Sequence, residues 1–94
     1  MTITEFKSMR KRATAAELKR AGGTPNQQTQ YGWVYPGGLV IESTEGWDHE
    51  WAGMYHLLVE GQEYFTDDLD KLELILYKRY SSGGHAASTT NADP

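Results

Sequence analysis

The stretch EGWDHEWAGMYH, residues 45–56, places two histidines, three carboxylates and two tryptophans within twelve residues. Side chains of these types could ligate a metal ion or exchange protons with a substrate, provided several of them converge within about 2–2.5 Å of one point. The spacing argues against it. In an extended strand His49 and His56 would stand roughly 23 Å apart, and their odd separation turns them to opposite faces. The His-Glu-x-x-His zinc pattern is absent, because the residue four after His49 is Gly53. Asp48 and Glu50 share a face in such a strand and could hold a hard cation only weakly. The reading that follows is a solvated loop or sheet edge carrying Asp48, His49 and Glu50, with neither a metal nor a cofactor.

Other reaction types find no better support. The chain has no cysteine, so it offers neither a thiolate nucleophile nor a disulfide. It has no Gly-x-Ser-x-Gly elbow and no phosphate-binding Gly-x-x-x-x-Gly-Lys loop. Ser43, Asp48 and His49 form no recognisable triad, and Pro36-Gly37-Gly38 reads as a turn because no helix start follows it. The expected class is a non-enzymatic binding domain.

Charge is distributed unevenly. Of the nine Lys/Arg and thirteen Asp/Glu, residues 1–23 hold six basic and two acidic, a net of +4, against −4 for the whole chain. Between Glu42 and Glu73 there are ten acids and one base, Lys71. Lys7, Arg10, Lys11, Arg12 and Lys19 could form a phosphate-binding face on an N-terminal helix, the footprint of a small nucleic-acid-binding regulator. The acidic remainder would repel a duplex, so this stands as the alternative. An acidic, aromatic-bearing surface suits docking onto a basic protein groove instead. The expected contact residues are Asp48, Glu50, Glu60, Glu63, Asp67, Asp68 and Asp70, with Trp33, Trp47 and Trp51 as anchors, since aromatic side chains dominate interface energetics.

The elements that must position these residues follow from local signals. Thr2 with Glu5 fits a capping box, and Thr14 with Glu17 fits a second, so residues 3–21 read as one helix or two shorter ones ended by Gly22-Gly23. Read as one helix, its apolar stripe is Phe6, Met9, Ala13 and Ala16. Residues 22–30 are turn formers and amides, a linker. From Tyr31 the period changes to two, with Tyr31, Trp33 and Tyr35 on one side of a strand that returns through Pro36-Gly37-Gly38 into LVIEST. A turn at Gly46, a strand within residues 47–59 bent at Gly53, a two-residue loop at Glu60-Gly61 and a short strand QEYF complete a meander of three or four strands. A final helix starts at Thr66 or Asp67. Leu69, Leu72, Ile75, Leu76 and Tyr80 share its apolar face, whereas Leu74 and Tyr77 fall off it. The predicted fold is α+β, one domain over residues 1–80 with the C-terminal helix on one sheet face. Residues 81–94 are expected to be a disordered tail.

The segment LLVEGQEYFTDDLDKLELILYKRY, a hairpin running through an aromatic pair into a capped helix, covers about a quarter of the chain. It resembles small proteins of phages and mobile elements of the anti-CRISPR type. The resemblance implies a stoichiometric inhibitor that binds a bacterial CRISPR effector complex, through a basic nucleic-acid-binding subunit, and blocks DNA binding or nuclease recruitment. It carries no residue correspondence. The expected setting is the cytoplasm of a bacterial host, as a monomer or homodimer. No apolar run approaches a membrane span, and MTITEFKSMRKR lacks the apolar core of a secretory signal.

Overall fold

The computed structural model describes residues 1–82. The chain is α+β: α1 (Ile3–Ser8), β1 (Lys11–Thr14), α2 (Ala15–Arg20), β2 (Tyr31–Tyr35), β3 (Leu39–Ser43), β4 (Tyr55–Val59), β5 (Gln62–Thr66) and α3 (Leu69–Ser81). The five strands form one antiparallel sheet in the order β1-β2-β3-β4-β5. At most four strands were expected.

The additional strand lies where a continuous helix was the first option. Both capping boxes are present, at Thr2 with Glu5 and Thr14 with Glu17. An N-cap residue must itself be extended, and Thr14 has φ −74° and ψ 168°. The second box therefore interrupts the helix, and the preceding residues pair with β2 in the register Lys11–Val34 to Thr14–Tyr31. Met9, expected on the buried stripe, is half exposed as a result, whereas Phe6 is fully buried. Gly22, at φ +102°, ends α2 as expected. The linker 22–30 is tied down at its far end, where Thr29 is buried.

Alternation sorts the sheet into two faces. One carries Tyr35, Ile41 and Leu57, which join Phe6 of α1 and Leu72 and Leu76 of α3 in the main core. Phe6 stacks on Tyr35 at 5.4 Å between ring centres and meets Tyr77 edge-on at 5.6 Å. Tyr77 was expected off the apolar face of α3. It packs instead against the core, and its hydroxyl donates to the carbonyl of Met1 at 2.6 Å. Leu74 is exposed, as expected. The helix is capped by Asp68, one or two residues later than Thr66 or Asp67, because the side chain of Asp68 accepts from Lys71 N–H.

The opposite face has a row running across all five strands, Ala13–Gly32–Glu42–His56–Phe65. At the β2 end Leu18 of α2 lies directly over Gly32. At the β5 end the connection between β3 and β4 folds over the sheet. The strand expected within residues 47–59 begins only at Tyr55, and residues 45–54 are turns in which Gly46 and Gly53 take φ of +89° and +78°. Glu60 and Gly61 both take positive φ, 51° and 79°, so the β4–β5 hairpin closes with the expected two-residue loop. Of the stretch expected to be a disordered tail, Ser81 ends α3 and Ser82 is its C-cap; residues 83–94 lie outside the described residues. No helix among the described residues is long and apolar enough to cross a membrane.

Candidate functional site

The candidate site is built on the β5 end of the Ala13–Phe65 face. Phe65 points outward from the edge strand, and the 45–54 connection brings two tryptophans onto it. Trp51 stacks on Phe65 at 5.0 Å and 16° between ring planes, and Trp47 meets Phe65 edge-on at 6.0 Å. His49 stacks against Trp51 at 6.3 Å. Hydrogen bonds hold the loop in this position. The hydroxyl of Thr44 donates to the carbonyl of Trp51 at 2.6 Å and accepts from Met54 N–H at 2.7 Å. Trp47 Nε1–H donates to Thr29 Oγ1 at 3.2 Å, and Asp48 N–H donates to Gln28 Oε1 at 3.0 Å, so the 22–30 linker braces the platform.

Five of the expected carboxylates are close to the platform residues along the chain. Asp48 and Glu50 flank the tryptophans, Glu63 shares the face of Phe65 two residues before it, and Asp67 and Asp68 follow. All five are exposed. Asp48, Glu50, Asp67 and Asp68 form no ion pair among the described residues. The remaining expected contact residues lie elsewhere. Trp33 is on the opposite face, packed against the core beside Tyr55. Glu60 pairs with Arg79 of α3, and Asp70 pairs with Lys7 at 2.7 Å. Of the ten expected contact residues, Trp47 and Trp51 are thus brought together on Phe65, with Asp48 and Glu50 in the same connection and Glu63 on the same strand face.

The expected phosphate-binding face is divided. Lys7 and Arg10 are engaged with Asp70 and Glu73 of α3, and the Arg12 guanidinium lies 3.8 Å above the ring of Tyr31. Lys11 and Lys19 are exposed on β1 and α2, which are separate elements. No single helix face presents all five.

Beneath the aromatic platform lies a group that spacing did not reveal. His56, 6 % exposed, is held between two carboxylates, with Nδ1 3.3 Å from Glu42 Oε1 and Nε2 2.9 Å from Glu63 Oε2. Phe65 stacks on its ring at 4.6 Å and Trp47 tilts against it at 5.7 Å. Glu42 is itself buried, and Thr29 Oγ1 donates to it at 3.4 Å. The three side chains are strung in a line through the imidazole instead of facing one point, and among the described residues no group of three or more His, Cys, Asp or Glu could hold a metal ion. The parity of Glu42 and His56 offered one clue, since both fall on the face opposite Tyr35 once the register is known.

Burial alone would lower the pKa of His56. The hydrogen bonds and charges of Glu42 and Glu63 outweigh that, and the net shift is upward. A histidine whose pKa is higher folded than unfolded stabilises the fold fully below its unfolded pKa of about 6.5. That contribution is lost as pH rises through the higher folded value. The urea midpoint should therefore fall between about pH 6 and pH 8, and His56→Gln should flatten this slope. An equally steep slope in the variant would assign the effect to other groups. The carboxylates with lowered pKa, Glu5, Glu17 and Asp70, act in acid, outside this window.

No family model matches the chain, and no curated protein and no solved structure matches it.

Proposed function

We propose that this domain is a non-enzymatic, protein-binding inhibitor that docks its Trp47–Phe65–Trp51 platform onto a basic groove of a nucleic-acid-binding protein. The observation that supports this most directly is the aromatic stack of Trp47, Phe65 and Trp51, whose connection also carries the exposed Asp48 and Glu50, neither with an ion-pair partner among the described residues. Such charges have no internal ion pair to break and steer the encounter with a cationic partner, while stacked aromatic rings supply large contact area with few rotatable bonds. The narrower reading, in which the partner is a subunit of a bacterial CRISPR effector complex and the effect is to block DNA binding or nuclease recruitment, rests on the resemblance of residues 57–80.

The test is DNA binding by a purified CRISPR effector complex, titrated with this protein. Stoichiometric inhibition is expected. The double charge reversal Asp48→Lys with Glu50→Lys should abolish it, and Trp51→Ala should weaken it about thirtyfold, the scale of an interface hot spot, with melting temperatures close to that of the wild type. A nuclease-treated pull-down from bacterial lysate tests the broader reading. A stoichiometric protein captured by the wild type and lost with the charge reversal supports it. Equal capture by both, or recovery of nucleic acid alone before nuclease treatment, overturns it.

A further inference from the structure

The sheet is split between its third and fourth strands. β3 runs from Leu39 to Ser43 and β4 from Tyr55 to Val59, yet only Glu42–His56 and Ser43–Tyr55 are in register. Toward Leu39 and Val59 the two strands leave a cavity between them, and the facing main-chain edges of Leu39–Val40 and Leu58–Val59 have no partner strand among the described residues. A cavity of about 250 Å³ fills the gap. Its walls are the apolar side chains of both strands, with Leu76 of α3 on one side and Gly22-Gly23 on the other. Glu42 and His56, the last registered pair, stand at its closed end, and the Glu60–Arg79 ion pair stands at its mouth.

Glu42 is the residue that gives this cavity a chemical preference. It is 4 % exposed, and both of its hydrogen-bond partners, Thr29 and His56, use the same oxygen, Oε1. Oε2 takes no hydrogen bond from the described residues. This oxygen belongs to a residue lining the cavity and is free to accept from a donor that enters it, and the low exposure of Glu42 makes such a charge-assisted bond stronger than at the open surface. Acidic groups also outnumber basic ones here, since two carboxylates, Glu42 and Glu63, flank the single imidazole of His56. The ion pair at the mouth adds nothing to this excess.

We propose that the β3–β4 cleft is a binding site for a small primary ammonium compound with an apolar body and an amide. The ammonium would meet Glu42 Oε2, the branched apolar body would lie against Val40, Leu58 and Leu76, and the amide would bond to the unpaired strand edges. The cleft adjoins the aromatic platform through His56, on which Phe65 stacks, but its binding does not depend on the proposed docking function.

Leucinamide is the probe, with N-acetyl-leucinamide as its neutral counterpart, titrated into the isotopically labelled full chain at about pH 6.5, where the α-amine is charged. Saturable amide shifts are expected at Val40, Glu42, His56 and Leu58, with leucinamide binding about tenfold more tightly than the neutral compound. E42Q should remove that tenfold preference. L58W, at a position already 46 % exposed, should block the cleft without touching the carboxylate. The proposal is overturned by absence of saturation up to roughly 20 mM, by equal affinity for the two probes, or by unchanged binding in L58W.

Discussion

Glu73→Ala is expected to destabilise the domain by about 3–5 kcal/mol, a large share of the roughly 5–15 kcal/mol available to a domain of this kind. Glu73 is fully buried on the core side of α3. Its Oε2 accepts from the Tyr35 hydroxyl at 2.7 Å and from the Arg10 guanidinium, while Lys7 Nζ lies 3.8 Å from Oε1. Burial first, and then the hydrogen bond to Glu73, push the Tyr35 phenol far above its usual pKa, so it remains a donor throughout the accessible pH range. Removing the carboxylate leaves that buried hydroxyl without an acceptor and Arg10 without its counter-charge. It also removes one tie between the N-terminal segment and α3, leaving the six-residue α1 held by Lys7–Asp70 and the packing of Phe6. Glu73→Gln keeps an acceptor for Tyr35 and should recover part of the loss. Urea unfolding of the three proteins decides the matter. A change below about 1 kcal/mol for Glu73→Ala would falsify a role for this residue in joining the helices.

Gly32→Ala should cost about 3 kcal/mol, although alanine ordinarily outperforms glycine inside a strand. A Cβ at this position would sit 2.3 Å from the carbonyl oxygen of Ile41, 2.9 Å from Leu18 Cδ1 and 3.0 Å from Glu42 Cα. Two of those three neighbours are main-chain atoms of the adjacent strand and cannot rotate away. Relief requires β2 and β3 to separate or α2 to lift, and either movement disturbs the seat of Glu42. Gly53→Ala is the control. It has open space around it but a φ of +78°, so only the left-handed backbone penalty of about 1–2 kcal/mol applies. Thermal unfolding should show a clearly lower midpoint for Gly32→Ala than for Gly53→Ala. Similar midpoints would mean that the close approach at Gly32 is readily relieved.

Several elements were legible because they are specified over three or four residues. The two Thr-x-x-Glu boxes, the Gly22 stop, the Pro36-Gly37-Gly38 turn and the Glu60-Gly61 hairpin each rest on a local hydrogen bond or a φ preference, and each is found where expected. The second box was also the available sign that the N-terminal segment could not be one helix, since its cap residue must be extended. Lys11–Thr14 still could not be read as a strand. Its residues favour a helix, and only the free edge of β2, twenty positions along the chain, makes it pair.

By itself, then, the sequence determined the α+β class, the meander, the strongly capped C-terminal helix and the separation of basic from acidic halves. Tertiary structure alone decided which polar groups became buried partners. Glu73 meets Arg10 across 63 residues and Tyr35 across 38, and Glu42 meets His56 across 14. It also decided that Trp47 and Trp51 close on Phe65 while Trp33 goes to the other face, and that β3 and β4 part beyond Glu42 and His56. Caps and turns are properties of neighbouring residues, and their energies act before the chain is compact. A buried carboxylate acquires its partner only once distant strands are in register, and no local pattern records that register.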